Sequence, residues 1–405
     1  MSEEEAGSTH GVDCVALVSF DRECDRLSYR FSIDGSPFSI SIWYENLDFG
    51  ELERRFGAAF MRRTYFHIGA FNANQYLSLA PSRIDFGEFA SYADAAFEGL
   101  WRTVFLRVWG QWRYENALPF YSGPVFPISA SSRDPVAYRR SGRALFFSGG
   151  GKDSVVAQAA LAESGQPYDS LSYSHSVYGV AWHQHELIDG VLNYGAQGQR
   201  NRISIFDDFL DSPVLRRGGY GVSTMCSAET PASVFMSLPS RSHTGTTDFI
   251  VGHERSADFG NFIWSMTGEE INHQWGKTLE AERLLSTYVA EHLLEGFRYY
   301  SILKPFSDIA IFSLGAGGAP FAAEGIPGVA GALSGYLRVR MDFEIDERDL
   351  RAFLVYATRE RTLDASLRAA SKYGRSAEHQ KSIDALRELN AKMLFRETHR
   401  HNRPF

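Results

Sequence analysis

One stretch restricts the fold of this chain more than any other. It runs from Ala144-Leu145-Phe146-Phe147 through Ser148-Gly149-Gly150-Gly151-Lys152-Asp153-Ser154 into Val155-Val156-Ala157-Gln158-Ala159-Ala160-Leu161-Ala162, and Gly165 follows. The first run has the form of a strand buried on both faces, the last that of a helix, and Gly165 that of its C-terminal cap. A strand that enters a helix through three successive glycines lets the backbone approach an anion closely and aims several N–H groups at it. The positive end of the helix dipole adds to this, and Lys152 can serve as a point cation on phosphate oxygens. Two common phosphate loops do not fit. A Walker A loop needs its first glycine where Phe146 stands and a Ser or Thr where Asp153 stands; a dinucleotide fingerprint needs a third glycine where Ser154 stands. A plain glycine-rich turn is the bland alternative, and it leaves the Lys-Asp-Ser sequence at the helix start unexplained.

The segments around this unit fall into three parts. In residues 1–125, Leu27–Ile33 and Phe38–Trp43 alternate with period two around Asp34-Gly35-Ser36-Pro37, which predicts a hairpin. From Leu52 to Trp112 the pattern turns helical, and Phe56, Phe60, Phe89, Tyr92, Phe97 and Trp101 read as core. After a Ser-, Pro-, Gly- and Arg-rich boundary at Tyr121–Arg143, residues 126–343 alternate short apolar runs with helical stretches. Those runs, Ala144–Phe147, Ile203–Phe206 and Phe249–Val251, predict βαβ units and a parallel sheet. Residues 344–405 read as a charged helical segment. The fold class expected is therefore α/β, a parallel-sheet nucleotide-binding domain with an N-terminal α+β domain and a helical tail.

The composition narrows the partners. A formal net charge of −8 disfavours nucleic acid, although Arg139, Arg140 and Arg143 form a local basic patch. The acidic start, Met1-Ser2-Glu3-Glu4-Glu5, is unlike a signal peptide, and no run approaches the roughly 20 apolar residues of a membrane span. A cytoplasmic protein is expected, with neither membrane nor nucleic acid as partner. Cys14, Cys24 and Cys226 contain no C-x-x-C pair, so neither a disulfide framework nor a zinc ribbon is indicated.

A second concentration of chemistry follows Asp248-Phe249-Ile250-Val251. It begins Gly252-His253-Glu254-Arg255-Ser256-Ala257-Asp258, with Gly260-Asn261 close behind. Polar residues just beyond the carboxyl end of a parallel strand are where α/β sheets build sites. Glu269-Glu270-Ile271-Asn272-His273-Gln274-Trp275 comes next, then Lys277 and Glu280; if that stretch is helical, His273, Lys277 and Glu280 share one face. A solvated face laced with ion pairs is the competing reading. His183 and His185, two residues apart, could share a metal on a strand, but no third ligand is evident. Cys226 could act as a thiol base, though a lone cysteine is more often a small buried residue.

The loop resembles the S-G-G-x-D-S signature of the PP-loop ATP pyrophosphatases, with one extra glycine, so that either Ser148 or Gly149 fills its first position. That resemblance implies ATP cleaved to AMP and pyrophosphate, with Ser148, Gly149, Gly150, Gly151, Lys152 and Ser154 around the phosphates and Asp153 facing Mg²⁺. Three motifs in order resemble a narrower family, the ATP-dependent UDP-N-acetylmuramoyl-L-alanyl-L-glutamate epimerases. They are Gly149–Ser154, His253-Glu254-Arg255-Ser256-Ala257 with Gly260-Asn261, and Glu270-Ile271-Asn272-His273-Gln274-Trp275-Gly276-Lys277-Thr278; Ser301–Asp308 is also similar. Two features depart from the family pattern: His253 stands where Asn is usual, and Leu314–Tyr336 is glycine-rich where a cysteine-rich stretch is usual. The resemblance implies adenylation of a small-molecule or peptide carboxylate followed by inversion at its α-carbon. His253, Glu254, His273 and Lys277 are then the candidate catalytic groups, and Arg255, Asn272 and Glu280 candidate substrate contacts. A PP-loop ligase that captures the same adenylate with an amine is the alternative.

Overall fold

The computed structural model describes residues 12–305, apart from 132, 138–140, 194, 196–197, 210–227, 247 and 261. Cys226, Asn261, the stretch Leu314–Tyr336, and the tail 344–405 therefore lie outside the described residues.

The chain opens with a meander of β1 (Cys14–Arg22), β2 (Arg26–Ile33) and β3 (Ser36–Tyr44). Its hairpin closes as the alternation predicts: Phe31 lies opposite Phe38 and Ile33 opposite Ser36, so Asp34 and Gly35 form a two-residue turn. Both have positive φ, 47° and 84°, the geometry that matches the twist of paired strands and that Gly adopts without cost. The inward members Phe31, Ile33, Phe38, Ile40, Ile42 and Tyr44 are buried, and Ser32, Ser39 and Ser41, which alternate with them, are only partly buried. The helical region follows as α1 (Phe49–Phe56) and α2 (Ala58–Asn72), then the short β4 (Arg83–Asp85), α3 (Ala95–Val108) and α4 (Gly110–Glu115). Asp48 and Asp94 cap α1 and α3 by accepting first-turn N–H groups. Of the aromatic set read as core, Phe60, Phe89, Phe97 and Trp101 are buried, while Phe56 and Tyr92 pack partly buried against them.

The second half alternates as expected: β5 (Ala144–Phe147), α5 (Lys152–Ser164), β6 (Tyr168–His175), α6 (Ala181–Leu192), β7 (Arg200–Asp207), α7 (Glu229–Thr244) and β8 (Asp248–Val251). A small ribbon of β9 (Phe262–Ile263) and β10 (Glu270–Ile271) precedes α8 (Leu279–His292) and β11 (Arg298–Ser301). The main sheet has nine strands in the order β11-β8-β5-β6-β7-β3-β2-β1-β4. Strands β11, β8, β5, β6 and β7 are mutually parallel, and the N-terminal meander extends the same sheet through the antiparallel pair β3–β7.

Helices cover both faces of the parallel strands. Ala144, Phe146, Tyr168 and Ile250 pack with Val156, Ala157 and Leu161 of α5 and Ile188 and Leu192 of α6. On the other face Leu145, Leu171, Phe249 and Val251 join a larger core with α2, α3, α7 and α8. From β5 the chain moves outward through β6 and β7 and then returns to place β8 on the opposite side of β5. The crevice beyond the carboxyl ends of β5 and β8 is thus the topological switch point, where open α/β sheets bind ligands.

Candidate active site at the switch point

The glycine loop sits at the carboxyl end of β5. Ser148 is buried and its N–H still donates to Leu171 O of β6 at 2.9 Å, so the sheet holds the chain up to that residue. The loop then closes on itself: Gly149 N–H donates to Ser154 Oγ at 3.0 Å and Gly150 N–H to Ser148 Oγ at 3.4 Å. Gly150 has φ +72°, and a Cβ there would lie 2.9 Å from Ile188 Cγ1 of α6, so this position requires glycine. Gly149 and Gly151 differ, because a Cβ on either would meet nothing within 4 Å. Their faces border open space. Gly151 is the N-cap of α5 and provides no side-chain acceptor for the first-turn N–H groups. Open glycine faces beside uncapped helical N–H groups have the form of an anion cradle. The Lys152 ammonium hydrogen-bonds the neighbouring Asp153 carboxylate.

The second motif is placed against this loop by a glycine. Gly252 follows β8, and a Cβ on it would lie 2.9 Å from Asp153 O and 3.3 Å from Ala157 Cβ, so the strand end abuts the first turns of α5. His253, the next residue, faces the other way, its Nδ1 lying 3.3 Å from Glu282 Oε1 of α8. Glu254 is buried, and Arg255 is exposed at the start of a short 3₁₀ turn, Arg255–Asp258.

Lys304, just past β11, draws the remaining segments together. Its ammonium donates to Asp258 Oδ1 at 3.0 Å, to Lys277 O at 2.6 Å and to Glu254 O at 3.4 Å, and stands 3.9 Å from Glu282 Oε1. Ser301 completes the junction, its Oγ donating to His253 O at 2.7 Å and its N–H to Glu282 Oε2 at 3.1 Å. Segments far apart in sequence, 253–258, 277, 282 and 301–304, thereby meet at one end of the sheet. Burial holds the His253 imidazole below its ordinary pKa; the Lys277 and Lys304 charges act in the same direction, and Glu282 opposes them.

The helical face imagined for His273, Lys277 and Glu280 is not formed. After β10 the chain turns at Asn272–Gln274, passes through a 3₁₀ turn at Trp275–Lys277, and starts α8 only at Leu279 with Thr278 as its cap. The capping hydroxyl accepts Ala281 N–H at 3.1 Å and fixes the start there. Asn272 braces the turn, donating to Ala257 O and accepting Gln274 N–H, both at 2.9 Å. His273 lies on the surface beside Gln274, its pKa lowered by partial burial and by the Lys277 charge. Glu280 accepts from Trp275 Nε1 at 3.0 Å and from Arg107 at 3.4 Å, and with Asn272 it lines a recess of about 280 Å³. His183 and His185 lie on α6 rather than on a strand: His183 pairs with Glu186 on the surface, and buried His185 contacts Ser172 and Ser204. Among the described residues no cluster of three or more His, Cys, Asp or Glu could hold a metal, and no helix is long and apolar enough to cross a membrane.

Glu282 escaped the motif reading because it lies in none of the motifs. Its signal was periodicity: Ala281, Glu282, Leu285, Tyr288 and Val289 form the buried stripe of α8, and a carboxylate on such a stripe needs partners.

Comparison with known proteins places this geometry. The family model described as the MurL N-terminal domain matches residues 232–302, which run from α7 through β8 and α8 to β11. Three curated proteins called UDP-N-acetyl-alpha-D-muramoyl-L-alanyl-L-glutamate epimerase also match. The one from Xanthomonas oryzae pv. oryzae is 29% identical over 224 residues, covering 54% of this chain and 45% of its own. That from Salinispora tropica is 32% identical over 51% of this chain and 43% of its own, and that from Micromonospora 31% over 61% and 52%. Over about half of its length this chain is similar to the muramoyl-peptide epimerases. The match spans about half the length of these epimerases. The family model takes in Gly252, the His253–Ala257 motif, the Glu270–Thr278 motif, Glu282 and Ser301, whereas the glycine loop lies ahead of it in the chain.

Proposed function

We propose that this chain is an ATP-using, AMP-forming epimerase of an amino-acid or peptide carboxylate, with a UDP-muramoyl-peptide as its first candidate substrate. The observation that carries the reading is the abutment of Gly252 on Asp153, which sets the polar segment after β8 beside a glycine loop at the switch point. The loop fits a triphosphate, since Gly149 and Gly151 present open faces and α5 presents uncapped N–H groups. Asp153 suits Mg²⁺, which commonly takes one or two carboxylates together with substrate phosphates and would neutralise phosphate charge here. The names of the relatives supply the substrate class.

The chemistry follows from the difficulty of taking a proton from beside a carboxylate, which yields an unstable dianion. A carboxylate oxygen attacks the α-phosphorus of ATP, the bond to the β-phosphate breaks, and pyrophosphate leaves. The acyl adenylate then has a far more acidic α-hydrogen. A base takes that proton, the electron pair moves into an enolate held by cations, and a proton returns from the other face. Water cleaves the adenylate, releasing AMP and the inverted carboxylate. In this scheme Lys152 and Ser154 hold the phosphates and His253, which follows the glycine packed against the loop, is the base. Lys277 is an enolate clamp, and exposed Arg255 meets the incoming carboxylate. Glu254 and His273 remain candidates for the second proton transfer.

Reaction with ATP and UDP-muramoyl-L-Ala-L-Glu in deuterated water tests this. AMP, pyrophosphate and deuterium at the α-carbon are expected together. ADP in place of AMP overturns the loop assignment, and a new amide without α-deuterium establishes the ligase.

A further inference from the structure

We propose that Glu282 is a positioning residue that holds the proton of His253 on Nδ1 and so leaves Nε2 as the basic atom. The inference rests on the preceding reading of His253 as a base. Glu282 is 2% exposed and belongs to none of the motifs shared with the epimerases. A carboxylate accepts hydrogen bonds and does not donate them, so the 3.3 Å contact requires the hydrogen on His253 Nδ1. The other Glu282 oxygen accepts Ser301 N–H at 3.1 Å, and the Lys304 ammonium stands 3.9 Å from the oxygen shared with His253. Both side chains are thus fixed, one by α8 and β11, the other by β8.

The charged groups around the imidazole act in opposite senses. Glu282 on α8 favours the protonated ring, Lys277 before α8 and Lys304 after β11 oppose it, and the Tyr299 ring of β11 packs 6.4 Å away. Removing the Glu282 charge therefore moves the titration of His253 to lower pH.

The test uses the full chain with nitrogen-15 in its histidines, the His253 signal being assigned by its loss in His253→Gln. In the wild type, one tautomer with hydrogen on Nδ1 is expected; hydrogen on Nε2 overturns the proposal. Glu282→Gln should lower the rate of ATP-dependent α-hydrogen exchange by roughly 10²–10⁴-fold, the range of general-base catalysis, with KM for ATP unchanged. The acid limb of its pH profile should shift to lower pH, and Glu282→Asp should recover part of the rate. An unmoved limb together with an unchanged rate overturns the proposal. If Glu282→Gln does not fold, the wild-type nitrogen spectrum and the Glu282→Asp profile still decide. A wild type with the Nδ1 tautomer but no exchange refutes the epimerase reading, and with it the basic role of Nε2, while the Glu282 contact stands.

Discussion

The three glycines of the loop should respond differently to the same methyl group. Alanine at Gly150 must adopt φ +72°, which costs about 1–2 kcal/mol for an L-residue. Its Cβ also lands 2.9 Å from Ile188 Cγ1 and 3.3 Å from Ile188 Cα, an overpacking that typically costs about 1–3 kcal/mol. Gly150→Ala should therefore destabilise the fold by about 2–5 kcal/mol. Gly151→Ala meets nothing within 4 Å at φ −90°, and should stay within about 1 kcal/mol of the wild type, because the loss of unfolded-state entropy offsets the poorer N-cap that alanine makes. Gly149→Ala also has open space and should be equally well tolerated. The assay is urea unfolding followed by tryptophan fluorescence, alongside the rise in melting temperature on adding ATP and Mg²⁺. Gly150→Ala should unfold at markedly lower urea. Gly149→Ala and Gly151→Ala should unfold like the wild type yet lose most of the ATP-induced rise, because the added methyl occupies the space assigned to phosphate. A Gly150→Ala protein as stable as the wild type would refute the left-handed turn against Ile188. Undiminished ATP stabilisation in both other variants would refute the phosphate cradle.

Asp153→Asn should abolish AMP formation while leaving circular dichroism unchanged; full turnover would show that its charge is not needed. Lys304→Met should cost about 1.5–3 kcal/mol, the worth of hydrogen bonds from a charged group at a partly buried junction, and an unchanged urea midpoint would disqualify Lys304 as the link between segments. Burial raises the Asp207 carboxyl to about 7, above its unfolded value of 3.8. Its contribution to stability is then complete below about pH 4 and is lost as pH rises through 7, at about 1.4 kcal/mol per unit. Asp207→Asn, which can still accept Phe209 N–H, should gain on the wild type across that window and level off above it, and a pH-independent difference would contradict the burial.

The glycine loop and its βαβ context were legible because their signals are local: an apolar run, a glycine run and an Ala-rich helix adjoin within about twenty residues. The Asp34-Gly35 hairpin was legible for the same reason. Residues 270–280 misled because charged residues near a known helix invite a helical reading, while the Thr278 cap and the turn braced by Asn272 set the real start eight residues later than Ile271. Glu282 and Lys304 were not legible as site residues, since their meaning comes from partners on other strands. The union of the meander with the parallel sheet was equally hidden, because alternation in β3 shows which face is buried but not which strand lies beside it.

That union has a consequence for how the chain reaches its structure. Strand β3 pairs through Ile42 with Ile205 and through Tyr44 with Ile203, so its free edge must wait while the loop, α5, β6 and α6 are synthesised. Contacts of such long sequence separation slow folding, and an unpaired edge that carries buried-type residues is a template for other chains. During synthesis the hairpin end of this protein is therefore its point of greatest exposure to aggregation, and a ribosome-bound chain halted before β7 should recruit chaperones that one halted after it does not.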